Sequence, residues 1–193
     1  MAQTLFRPRF SEGTTRLGPD LTVWNVVDAE LDDYHGYDVQ AVIRLRGRRF
    51  EMDELTVTRR DDGEQVTGFG LRALKPPAII RNAVGRSLAN FPPDRSDGSV
   101  AFISSEPGTA VAYGAVTAAD AAAAKSDGPI DSTLRLVGRV YTLAYAVQDR
   151  QAKAIAETFG VSARTAGAWI SKAKAAGYVA ADDEEDDDGT PEA

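Results

Sequence analysis

The chain has 193 residues, 43% hydrophobic and 26% charged, which fits one globular domain or a medium domain plus a small one. It has no cysteine and a single histidine, His35, which excludes disulfides and thiolate metal sites and leaves no material for a His cluster or a Ser-His-Asp triad. No apolar run approaches the roughly 20 residues that span a bilayer, and "MAQTLFRPRF" lacks a signal-peptide core, so a cytoplasmic protein with no membrane partner is expected.

Residues 21–72 read as β-rich. "LTVWNVV" and "YDVQAVIRLRG" are dense in β-branched and aromatic residues, and the second alternates Val39, Ala41, Ile43 and Leu45 with polar partners. "FEMDELTVTRR" and "EQVTGFGLRAL" flank Asp61-Asp62-Gly63, which reads as a hairpin. Half-buried strands of this kind build an antiparallel sheet with one face covered. Pro76-Pro77 stops the last strand, and "AIIRNAVGRSLANF" supplies the covering helix. "PPDRSDGS" is a loop, and "SVAFISS" reads as an edge strand. Residues 1–118 thus form an α+β domain for dimerisation or partner binding, and 119–130 a helix or linker ending near Pro129.

Asp131 or Ser132 caps the next helix, whose apolar positions Leu134, Val137, Val140, Tyr141, Ala144 and Val147 keep helical spacing. A break near Asp149–Gln151 leads to a second helix, Ala152 to Phe159. Gly160 then turns the chain, Ser162 caps a third helix, and Gly177 closes it. Residues 131–181 are therefore a trihelical unit. Its spacing fits a helix-turn-helix: Ala156 where the helices cross, Gly160 in the turn, and Ile155, Phe159, Val161, Ala166 and Trp169 as the apolar set. An ordinary helical hairpin with a glycine turn and a serine cap fills the same positions.

With Ala166, Trp169, Ile170 and Ala173 inward, the helix spanning 162–176 turns Ala163, Arg164, Gly167, Ala168 and Ser171 outward as base-contact candidates. Arg164 lies in the first turn, where a bidentate contact to guanine is made. Ala163 and Ala168 suit thymine methyls, and Thr165 suits a phosphate contact or a local cap. Gly167 costs about 1 kcal/mol relative to alanine in mid-helix, so either a groove wall or another part of the protein approaches there. Arg150, Lys153, Lys172 and Lys174 suit phosphates, which position without reading sequence.

The formal charge of −7 hides a division along the chain. Residues 132–181 carry seven basic and two acidic side chains, a net +5, and residues 182–193 carry a net −8. The acidic tail is expected to be disordered, either as a solvated end or as a phosphate mimic that folds back on the basic unit.

"QAKAIAETFGVSARTAGAWISKAKAAGYV" resembles the C-terminal helix-turn-helix of small proteins of actinobacteria and their phages, over about 50 residues. There the pattern runs "xAVAxxFGVSxxTAxRWVxxARxxGLL". The position of Ala168 is often arginine in it, so one contact is lost here. The N-terminal "ELTVTRRDDGEQVTGFGLRAL" is similar to the β-rich half of the same proteins. The resemblance implies DNA binding and no chemistry.

Arg44, Arg46, Arg48 and Arg49 form a basic stripe, read as a solvated face or a second surface for a negative partner. Asp32-Asp33, Asp53-Glu54 and Asp61-Asp62 are carboxylate pairs of the kind used in metal-assisted phosphodiester chemistry, but no further ligand pattern accompanies them. No catalytic residue, metal or cofactor is expected, and His35 is an exposed turn residue. The expectation is an α+β, non-enzymatic, sequence-preferring double-stranded DNA-binding protein, a transcriptional regulator found with the nucleoid. One copy specifies few base pairs, so a homodimer is expected. The alternatives are a phage or mobile-element accessory of recombination or packaging, a nuclease using those carboxylates, and a helical protein-docking module.

Overall fold

The computed structural model describes residues 4–61, 63–90, 110–111, 113 and 115–179. The architecture is α+β with an antiparallel sheet. Strands β1 (Thr4–Pro8), β4 (Val26–Tyr34), β5 (Tyr37–Arg46) and β6 (Arg49–Arg59) form a four-stranded sheet in the order β1-β4-β5-β6. A second hairpin, β2 (Thr14–Gly18) with β3 (Leu21–Trp24), adds Leu17, Leu21 and Val23 to the same core.

The alternation in β5 decides which face is covered. Val39, Ala41 and Ile43 are buried, and their partners across the register, Leu31, Ala29 and Val27 of β4, point the same way. Helix α2 (Pro76–Asn90) lays Ile79, Ile80, Ala83, Val84 and Leu88 on that face. Fully burying each large aliphatic side chain stabilises by roughly 1.5–3 kcal/mol, so this layer holds the sheet. The opposite face is polar and ion-paired, with Arg9 on Asp28 at 2.7 Å and Arg7 on Glu30 at 3.1 Å.

Several expectations are corrected. "EQVTGFGLRAL" is not a strand: residues 64–67 are irregular, and Gly68–Leu71 is a short helix, α1. Thr67 caps it by accepting from the Gly70 N–H, and Gly70 lies so close to Tyr37 that a Cβ there would fall 2.0 Å from the phenol oxygen. Two glycines deprive a strand of packing, whereas this approach requires one of them. Pro76-Pro77 accordingly start α2 instead of stopping a strand. "LTVWNVV" is two strands, because Asn25 turns the corner between them, with its side chain bonded to Thr15 and to the Glu12 carbonyl. Strands β1 and β2 fall in a stretch that carried no expected strand. Helix α4 (Asp131–Ala146) has no side-chain cap; Ile130 is the cap position, and Asp131 bonds Arg135 instead. "SVAFISS" and the tail 182–193 lie outside the described residues.

The short pair β7 (Ala110–Val111) and β8 (Val116–Thr117) precedes α3 (Ala118–Asp127), which packs Ala121 and Ala124 against the helices that follow. Helix α4 joins the two cores. Val137, Val140 and Ala144 face the helical cluster, while Leu143, Ala146 and Val147 face the sheet cluster.

The corner after α4 is anchored to the sheet layer. Asp149 accepts from Arg81 of α2 at 2.6 Å and from the Tyr113 hydroxyl at 2.9 Å, and the Gln148 amide donates to the Phe50 carbonyl at 3.2 Å. Burial pushes the Asp149 carboxyl up, but the bonds from the Arg150 N–H, Tyr113 and Arg81 together outweigh it and hold the group below the usual carboxylate range. A depressed carboxylate stabilises the fold above its unfolded value, near 3.9, and loses that contribution as pH falls through the folded one. Asp149→Asn is therefore expected to cost about 1–2 kcal/mol at neutral pH and to flatten the loss of stability below about pH 4, as read by urea unfolding at a series of pH values.

Candidate nucleic-acid interface

Helices α5 (Gln151–Phe159) and α6 (Ala163–Ala175) are joined by a turn of Gly160, Val161 and Ser162. Gly160 is left-handed at φ 59°, which glycine adopts without steric cost. Ser162 Oγ accepts from the Thr165 N–H at 3.1 Å, so the first turn of α6 is capped. The Thr165 hydroxyl lies 2.9 Å from Ser162 Oγ, which puts this half-buried residue in the capping arrangement. Below the turn, Ile155, Phe159, Ala166, Trp169 and Ala173 are buried, with the Phe159 and Trp169 rings edge-to-face at 5.7 Å. Ile170 is half-buried, and α4 closes the third side.

That packing leaves one side of α6 outward. Ala163, Arg164, Ala168 and Ser171 are exposed and Gly167 half-exposed. Arg164 makes no hydrogen bond or ion pair among the described residues. A Cβ built on Gly167 meets nothing within 4 Å, so no described part of the protein uses the space this glycine leaves. The Ser171 hydroxyl donates back to the Gly167 carbonyl at 3.1 Å.

The phosphate candidates flank this face. Arg150 precedes α5 and Lys172 lies in the last turn of α6; both are exposed and without an ion pair among the described residues. Lys153 sits 3.7 Å from Glu157, an exposed pair of the kind that contributes little. Lys174 Nζ lies 5.1 Å over the Tyr141 ring, a cation–π contact that leaves its charge in place.

Arg135 of the same unit has other work. It bridges Asp131 at 3.0 Å and Asp20 at 3.4 Å, and stacks on Tyr178 at 4.9 Å. The Tyr178 hydroxyl donates to Asp131; this bond and Arg135 hold that carboxyl below its ordinary range. Beneath this clamp the Tyr178 backbone presses on α4, where a Cβ on Gly138 would fall 2.3 Å from the Tyr178 carbonyl oxygen. The clamp was not expected from sequence, although a glycine in the middle of a strongly apolar helix signals a close approach.

The N-terminal candidates come out differently. Arg44 and Arg46 both pair with Asp53, at 2.9 and 2.8 Å, and also reach Glu12 and Glu51. Asp53 is held below the usual range by Arg46 and Arg44, so the stripe's charge is largely offset on its own sheet face. Arg48 donates to the Leu17 carbonyl, and Arg49 lies 4.8 Å over Tyr145. Among the described residues no group of three or more His, Asp or Glu is placed to hold a metal ion. Asp32 and Asp33 lie at the end of β4, Asp61 follows β6, and Asp62 is outside the described residues. His35 is in the β4–β5 turn at φ 54°, its ring edge-on to Tyr34. Among the described residues no helix is long and apolar enough to cross a membrane. No family model, no curated protein and no solved structure matches the chain.

Proposed function

We propose that the chain is a sequence-preferring double-stranded DNA-binding protein, a transcriptional regulator that reads the major groove with α6. One observation carries the reading: the outward face of α6 combines an arginine in its first turn that has no partner among the described residues with a glycine whose missing Cβ would meet no described residue. A helix tolerates that glycine's cost of about 1 kcal/mol where something outside the chain needs the room, and a groove wall is such a thing.

In this reading Arg164 donates two N–H groups to O6 and N7 of a guanine, and the Ala163 and Ala168 methyls meet thymine methyls. Ser171 hydrogen-bonds a base edge or sugar one turn further on. Arg150, Lys153, Lys172 and Lys174, with Thr165, hold the sugar-phosphate backbone and fix the register. The resemblance of "IAETFGVSARTAGAWISKAKAAGYV" to helix-turn-helix segments supports the same assignment. With one strong base reader per chain, a useful site takes two copies.

Selection from a pool of random duplexes tests it. The intact chain is expected to enrich a motif containing a guanine, and Arg164→Ala to lose preference at that base, with affinity for the selected site down about 10–100-fold. Enrichment of the same motif by both proteins would remove Arg164 from the reading.

A further inference from the structure

The two edges of the main sheet are built differently. Strand β1 is five residues long and contains Pro8, features that keep an edge from pairing. Strand β6 is eleven residues long, has no proline, and ends the sheet with no described strand beyond it. A bulge opposite Val42–Ile43 interrupts β6 at Asp53; from Glu54 onward its register with β5 is regular. On the covered side of that stretch, Leu55 and Val57 are only half-buried.

Beside this edge lies the most exposed apolar surface among the described residues. Phe69 is 85% and Leu71 42% exposed, both on α1. Helix α1 is seated on Tyr37 through Gly70, and Tyr37 is the β5 residue opposite Arg59 of β6. Phe69 therefore stands at the far end of β6, on the sheet's covered side.

The geometry points to β6 as the place where a second copy of this chain joins, edge to edge and antiparallel, about a two-fold axis at Thr56. Thr56 is one of the two central residues of the regular stretch Glu54–Arg59, and the exposed one. Pairing about it sets Leu55 against Val57 of the partner subunit and Glu54 against Thr58 of the partner subunit, so no like charges stand opposite. Asp53 and Glu51 are engaged by Arg44 and Arg46, but Glu54, with no ion pair among the described residues, stands beside Arg59 of the partner subunit, giving opposite charges at both ends of the seam. The two Glu54 side chains are four residues apart along the strand, about 13 Å. On the covered side, Phe69 lies over the end of the seam, within reach of Leu55 and Met52 of the partner subunit. The shared sheet pairs the β6 edge of each copy and covers Phe69, and it does not depend on the DNA reading.

The absence of cysteine makes the register measurable. Thr56→Cys puts a thiol on the axis opposite itself, within disulfide range. Thr58→Cys puts the two thiols about 13 Å apart, beyond it. The expected result is a dimer of the full chain in sedimentation equilibrium at micromolar concentration, rapid covalent dimerisation of Thr56→Cys under mild oxidation, and none of Thr58→Cys. Phe69→Asp, at a position with no packing to lose, is expected to weaken the dimer at least about tenfold with an unchanged circular dichroism spectrum. A monomeric full chain, or equal cross-linking of the two cysteine variants, would overturn the interface. DNA binding is read in a separate assay, so loss of either conclusion leaves the other standing.

Discussion

Gly138→Ala is expected to lower the unfolding free energy by about 2 kcal/mol, although alanine is the better helix former. The new methyl would meet the Tyr178 carbonyl oxygen at 2.3 Å and the Tyr178 Cβ at 2.9 Å. The first is a backbone atom and cannot rotate away. Tyr178 is tied to Asp131 and stacked under Arg135, and Val179 beside it is buried, so the segment that follows α6 must separate from α4 as a whole. The gain in helix propensity, about 1 kcal/mol, is smaller than the overpacking and the lost burial of Val179. In urea the midpoint should fall with an unchanged slope. An unchanged or higher midpoint would mean that the Tyr178 backbone does not press on α4.

Gly167→Ala should do the opposite to stability and the worse thing to binding. No described residue lies within 4 Å of the added methyl, so the fold should gain up to about 1 kcal/mol from helix propensity alone. The methyl stands on the face assigned to the groove, beside Ala163, Ala168 and Ser171, and would hold the α6 backbone away from the bases. Affinity for the selected duplex is expected to fall about tenfold or more while the urea midpoint rises, and no simple packing role for Gly167 produces that pair of signs. If both quantities rise, or affinity is unchanged, the glycine has no part in an interface.

The helical half was legible because its signals are local. Gly160, Ser162 and Gly177 mark turn, cap and end by backbone chemistry that does not depend on the rest of the fold, and Ile155, Phe159, Ala166 and Trp169 keep a helical period. The period of α4 was also visible, but one stripe was expected where there are two: Leu143, Ala146 and Val147 pack on the sheet, and a sequence does not say that a helix serves two cores. The sheet was legible where alternation was clean, in β5 and β6. It was not legible in β1 and β2, where "TLFRP" and "TTRLG" are short and their pairing is fixed by β4 and β3. In "EQVTGFG" the decisive contact, Gly70 against Tyr37, is long-range and leaves no local signal. The basic stripe leaves both a solvated face and a surface for a negative partner open in sequence, because Asp53, Glu12 and Glu51, which offset it, come from the neighbouring strand and a preceding turn.

If the positive surface of α5 and α6 binds DNA, affinity as a function of salt shows it most directly. Intact chain and a truncation ending at Ala181 would be titrated with the selected duplex and with an unrelated one. If Arg150, Lys153, Lys172 and Lys174 each neutralise a phosphate, the logarithm of affinity should fall against the logarithm of salt with a slope of about −4 per copy. The selected duplex should stay tighter throughout, and the truncation, freed of the acidic residues 182–193, should bind both duplexes more tightly with less discrimination. Absence of binding by both proteins at low salt would contradict DNA binding by this surface and leave the outward face of α6 as a surface for protein.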